Sequence, residues 1–188
     1  EVRVRTCLRA FLFAKNRMVR AHIQCAKEVE RVKIDKKRLI ICLAIPLAVD
    51  GAAGILTMNS MEAFEALNQP PLSPPGWLFP VVWTGLYVVM GIASYLVSVS
   101  DAPHEEKARA LWTYGIQLAF NFLWPIAFFN LKWYLFAFLW LVILWILILI
   151  TALRFGRIRR PAGYLLVPYL LWVAFAGYLN LGIYLLNP

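Results

Sequence analysis

The sequence predicts an all-α integral membrane protein: a five-transmembrane-helix bundle with its N-terminus in the cytoplasm. Two observations carry the membrane class. Hydrophobic residues make up 62% of the chain and charged residues only 15%, against about 45–50% and about 25% in soluble domains. The charges are also segregated, leaving runs at 39–56, 77–98, 110–129, 133–153 and 162–186 that are nearly free of them. Each run approaches the roughly 20 residues needed to cross hydrocarbon. A third observation, the distribution of Lys and Arg, gives the orientation. Residues 1–38 hold 12 of the 19 basic residues, 99–109 hold Lys107 and Arg109, and 154–160 hold Arg154, Arg157, Arg159 and Arg160. The opposite side has Lys132 alone. The same asymmetry accounts for the net charge of +9. Anionic headgroups on the cytoplasmic face answer that charge, and no nucleic acid partner is needed.

The chain divides into a basic N-terminal tail, 1–37, and a membrane domain, 38–188. The tail lacks the clean apolar core and cleavage site of a signal peptide. Val4, Leu8, Phe11, Leu12, Val19 and Ile23 recur at roughly helical spacing among Lys and Arg. That spacing fits either an interfacial helix on the inner leaflet or a poorly ordered tail. Cys7, Cys25 and Cys42 form no CxxC motif, and with His22 and His104 they show no metal-ligand spacing, so no metal is expected. No Ser/His/Asp set or phosphate-binding glycine loop can be assembled.

The first span carries Asp50, the one ionisable residue deep in a run. An intramembrane acid is a functional candidate; the alternative is a bond to a neighbouring helix. The loop at 57–76 is the longest connection, with room for a short helix around Ser60–Leu67 and then a proline turn. It is a candidate lid. The second span places Phe79, Trp83 and Tyr87 at i, i+4, i+8, one helix face. Such a stripe serves either as packing or as a wall for a flat apolar ligand. The third span places Gln117, Asn121 and Trp124 on one face, with Pro125 predicting a kink near its outer end. Two amides in a bilayer must meet protein, water or ligand. Gly115 and Ala119 form a small-xxx-small pair suited to close helix approach. The fourth span has no polar focus; Trp140 and Trp145 are expected to face lipid or a second subunit. In the fifth, Trp172, Ala176 and Asn180 share a face. No internal repeat is evident, which argues against repeat-built transporters.

Three segments converge at this point: PPGWLFPVVWTGLYVVMGIASYLV (74–97), QLAFNFLWPIAFF (117–129) and PYLLWVAFAGYLNLGIYLLN (168–187). Together they closely resemble the translocator protein family, TspO/MBR, also called peripheral-type benzodiazepine receptors. The resemblance covers about 39–187. It implies a five-helix bundle, usually a homodimer, that binds porphyrins, sterols and synthetic aromatic ligands beneath the loop between the first two helices. It implies ligand-binding roles for Trp83, Tyr87, Asn121, Trp124, Trp172 and Ala176. Gln117 lies one turn from Asn121, and Phe64 and Leu67 belong to the lid. Phe64 stands where many members have Tyr, and Leu72 where many have Trp. Leu181 and Leu185 depart from the family's sterol-type pattern, so cholesterol recognition has little support.

The expected function is binding of porphyrin or a similar apolar aromatic molecule for transport, sensing or regulation of tetrapyrrole metabolism. No cofactor is required. The location expected is a bacterial cytoplasmic membrane. One alternative is an enzyme that degrades protoporphyrin photo-oxidatively, with Trp83 and Trp172 as candidate redox residues. Another is a lipid- or sterol-binding or structural membrane partner.

Overall fold

The apolar runs become helices because hydrocarbon leaves backbone N–H and C=O groups no partner but the chain itself. In the computed structural model the described residues are 34–60, 64 and 66–187. They contain no strand. Helix α1 spans Lys36–Thr57, α2 Leu78–Ser98, α3 His104–Pro125, α4 Tyr134–Ile158, α5 Arg160–Tyr164 and α6 Val167–Leu186. The reading of 1–37 as an interfacial helix or tail falls, up to residue 33, outside the described residues. So does part of the short helix expected at Ser60–Leu67.

Among the described residues, four helical stretches are long and apolar enough to cross a membrane: Lys36–Ser60, Leu78–Ser98, Tyr134–Ile158 and Arg160–Leu186. The remaining long helix, α3, has 22 residues but is less apolar. It starts earlier than the apolar run does, at His104, with Pro103 before it and Glu105 and Glu106 in its first turn. Acids there face the positive end of the helix dipole. Its interior amides, Gln117 and Asn121, are both buried, so protein rather than lipid surrounds them.

Two local features reshape the expected spans. Past Pro125 the third span widens into a π-helical turn, Ile126–Asn130, as a residue without an N–H disrupts the regular ladder. The last apolar run is broken after Tyr164 and restarts at Val167 with Pro168 in its first turn, where proline is tolerated.

Helix α1 packs chiefly on α2, while α4 packs against α3 and α6. The α1–α2 contact is close because Gly91 has no side chain. A Cβ there would lie 2.8 Å from the Cys42 carbonyl oxygen and 2.9 Å from Leu43 Cδ2. The basic side chains gather at one end of the bundle. Arg38 Nη1 donates to Ser98 O at 3.4 Å and Lys107 Nζ to Ser100 O at 3.0 Å. Arg154 Nη1 donates to Arg109 O at 3.1 Å and also to Thr113 Oγ1. Each of the first two long side chains thus serves a carbonyl at or just beyond the C-terminal end of α2, where helical partners run out.

Trp140 and Trp145 are both half-buried braces. Trp140 Nε1 donates to Phe120 O at 2.8 Å, with its ring stacked on Phe120 at 4.4 Å. Trp145 Nε1 donates to Leu170 O at 3.1 Å. An indole N–H in a helix bundle needs an acceptor, and neighbouring backbone provides it.

Candidate functional site

The helical period puts Phe79, Trp83 and Tyr87 on one face of α2, and the same period puts Asn121 and Trp124 on one face of α3. Those faces meet across a cavity of about 140 Å³. Its third wall is α1, with Asp50, Ala53, Gly54 and Thr57. Small residues at 53 and 54 leave room that a larger side chain would fill. Pro80, Pro125 and Phe129 complete the lining.

The rings form a continuous aromatic cluster. Trp83 lies 6.1 Å from both Tyr87 and Trp124 and 6.2 Å from Tyr169. Trp124 stacks on Phe128 at 5.4 Å. Phe64, from the lid loop, contacts Phe79, Phe128 and Phe129 at 6.3, 5.8 and 5.3 Å. Leu67 is half-buried against the same core.

The two amides of α3 have different environments. Gln117 is fully buried, and its Nε2 donates to Tyr169 Oη at 2.8 Å. It ties α3 to α6. Asn121 lines the cavity, and its Nδ2 is buried with no partner among the described residues. A buried donor left unpaired costs about 1–3 kcal/mol. Asp50 accepts from Thr84 Oγ1 at 2.9 Å, so it both bonds the neighbouring helix and lines the cavity.

Four of the residues expected in the site, Trp83, Tyr87, Asn121 and Trp124, line this one cavity. Gln117, Trp172 and Ala176 do not. Trp172 reaches it indirectly, with its ring 6.1 Å from Phe79. Its Nε1 is buried without a partner. Ala176 is buried in the core. The α1 wall is the part that the aromatic spacing did not indicate; its sequence signals are the intramembrane acid Asp50 and the small-residue run Gly51–Gly54 after it.

The loop over the cavity is fastened at both ends. Ser60 Oγ donates to Asn130 Oδ1 at 2.8 Å, and Asn130 Nδ2 donates to Leu56 O at 2.9 Å. At the other end Asn187 Nδ2 donates to Asn68 O and Asn68 N donates to Asn187 Oδ1, both at 3.0 Å. Tyr178 Oη donates to Pro71 O at 2.9 Å. Pro70 sits directly over Gly182, where an added Cβ would meet it at 2.6 Å.

Comparison with known proteins gives the family. The TspO/MBR family profile matches residues 42–186. The "Tryptophan-rich protein TspO" of Chlorobaculum tepidum is 40% identical over 151 residues, 80% of this chain and 96% of that one. "Protein CrtK" of Rhodobacter capsulatus is 37% identical over 144 residues, 77% of this chain and 89% of that one. The "Translocator protein" of Ovis aries is 36% identical over 118 residues, 62% of this chain and 70% of that one.

Proposed function

Because the chain belongs to the TspO/MBR family, we propose that it is a five-span membrane protein binding a flat, apolar aromatic ligand of the tetrapyrrole class in this cavity, for transport or sensing. The observation that carries the reading is the meeting of Trp83, Tyr87 and Trp124 with the Asn121 amide around one cavity. Ring faces give stacking area, worth roughly 0.5–1.5 kcal/mol per pair beyond burial. The amide supplies one directional donor. A curated relative's name, "Tryptophan-rich sensory protein" of Cereibacter sphaeroides, supports the sensing branch.

Size imposes a condition on this reading. The cavity holds about 140 Å³, whereas sites for drug-sized ligands hold about 300–1,000 Å³. A macrocycle therefore enters only when the lid contact of Phe64 with Phe79 and Phe129 opens. In this reading α3 is the fifth span, and the basic end, with Arg38, Arg154 and Arg157, faces the cytoplasm. Gly115 and Ala119, both exposed on α3, form the contact of a homodimer. No Cβ placed on Gly115 meets a neighbour within 4 Å, so that face is open within one chain.

Tryptophan quenching by protoporphyrin tests the binding claim, with wild type, Trp83→Ala and Trp172→Ala compared at equal foldedness. Weaker binding in Trp83→Ala is expected. Equal affinity in all three would make the aromatic stripe core packing. The same titration in light and dark separates binding from turnover: a new absorbing product requiring light and Trp83 would favour the degrading enzyme.

A further inference from the structure

The aromatic cavity carries a carboxyl group and no base. Asp50 lines it, and no Lys, Arg or His is among the described residues that do. The loop over it, 57–76, has no basic residue anywhere in its sequence. Asp50 is also the one charged residue of the apolar run 39–56. Thr84 Oγ1, on α2, donates to its Oδ2 at 2.9 Å, which holds the group at the α1–α2 seam. A carboxylate has about four lone-pair sites on its two oxygens. One hydroxyl among the described residues therefore leaves acceptor capacity on a group that borders open space. The Thr57 hydroxyl, on the same wall, is turned to its own helix and donates to Ala53 O at 2.9 Å. An anion entering this space would meet Asp50 and find only neutral donors, the Asn121 amide among them. A ligand nitrogen that carries hydrogen would meet an acceptor. Hydrogen bonds to an ionised acceptor are roughly twice as strong as neutral ones, and like charges set side by side in an interface are strongly disfavoured. Walls of Phe79, Trp83, Trp124 and Phe129 keep the local dielectric low, which strengthens both effects.

We propose that Asp50 sets the polarity of the ligand: the cavity takes an aromatic ring that presents an N–H or a cationic nitrogen to α1 and keeps any carboxylate outside. The inference rests on the reading of this cavity as a ligand site and adds to it a sign of charge. For a tetrapyrrole it puts a pyrrole N–H within reach of Asp50 and the acid side chains toward the loop. A carboxylate present only to bond Thr84 would select nothing. The two roles are separable, because Asn at this position keeps an acceptor for Thr84 Oγ1 and loses the charge.

The test uses three anthracenes that differ in one substituent: 9-aminomethyl, a cation; 9-methyl, neutral; and 9-carboxylate, an anion. Energy transfer from tryptophan reports their binding to the full chain in neutral detergent. Each probe is compared between wild type and variant, so partitioning into micelles cancels. Wild type is expected to bind the amine most tightly and the carboxylate least. Asp50→Asn should weaken the amine about tenfold, the worth of a hydrogen bond to a charged group, and should strengthen the carboxylate. The methyl probe should move less than either, and the thermal midpoint should hold. Asp50→Glu should restore the preference for the amine. Glu105→Gln removes an equal charge from the first turn of α3, outside the cavity, and should change nothing. The methyl probe reports on the cavity alone: if Trp83→Ala leaves its binding unchanged, the ligand-site reading fails and takes this inference with it. Where Trp83→Ala does weaken it, three results would each overturn the role of Asp50 by itself. They are a wild type that binds the carboxylate as tightly as the amine, an amine affinity equal in wild type and Asp50→Asn, and an equal loss in Glu105→Gln.

Discussion

Two sides of the same bundle are rich in aromatic residues and use them in opposite ways. On the α4–α6 side, Trp140 and Trp145 donate to backbone carbonyls at 2.8 and 3.1 Å, and Trp140 stacks on Phe120. Their indoles are committed to holding helices together. On the α1–α2–α3 side, Trp83 and Trp124 face Ala53 and Gly54 across open space. Aromatic content therefore does not mark a site. A ring becomes a ligand wall when the helix opposite is too small to fill the gap. The comparison recurs within α3. Gln117 Nε2 is bound to Tyr169 while its Oε1 has no partner among the described residues, and Asn121, one turn away, has an unpaired donor among them.

This contrast can be broken by substitution. The largest effect is expected on the braced side: Trp145→Ala should cost about 3 kcal/mol of stability, the low end for Trp truncation, because the ring is half-buried. Ligand affinity should be unchanged. A thermal melt in detergent beside a protoporphyrin titration reads both, and an affinity loss matching that of Trp83→Ala would erase the distinction. Gln117→Leu should come next. It strands Tyr169 Oη, at about 1–3 kcal/mol for a buried group left unpaired, again with little effect on ligand.

The cavity side should answer in the other currency. Trp83→Ala is expected to weaken ligand binding about tenfold, the equivalent of about 1.4 kcal/mol, with a smaller stability change than Trp145→Ala. Asn121→Leu sharpens the pair further. It removes a donor that has no partner among the described residues, so the fold should be as stable or more so. Binding should drop about fivefold or more if Nδ2 serves the ligand, a typical net hydrogen bond being about 1 kcal/mol. Equal affinity would show that the amide has no role in binding. Gly182→Ala is the mildest. Its methyl would press on Pro70 and loosen the loop, so stopped-flow quenching should show faster ligand entry with little change in equilibrium affinity.

Much of the helical plan was legible in the chain. The charge-free runs match α1 and α2 to within three residues, whereas α4 continues five residues past its run, through Arg154 and Arg157 to Ile158, and α6 begins five residues into its run. The helical period put Phe79, Trp83 and Tyr87, and separately Asn121 and Trp124, on single faces. Less legible were helix ends governed by local chemistry. The α3 start at His104 lies among charges that composition assigned to a loop, and the break between Tyr164 and Val167 lies inside an apolar run. Hydropathy averages over a window and does not see a cap or a proline in the first turn.

Which residues share a helix face follows from the chain alone, because 3.6 residues per turn is a property of the backbone. The sequence likewise segregates charge from the apolar runs, since an unpaired charge is costly in hydrocarbon. What each face meets is set by the packing of the helices. That packing gives Gln117 Nε2 a hydroxyl partner and Asn121 Nδ2 none among the described residues, points the Trp140 and Trp145 indoles at neighbouring carbonyls, and bonds Asp50, on the cavity wall, to Thr84. The physical reason is that burial and hydrogen bonding are pairwise. A face carries its own chemistry, but whether it packs, bonds or stays open depends on the size and polarity of residues far away in the chain.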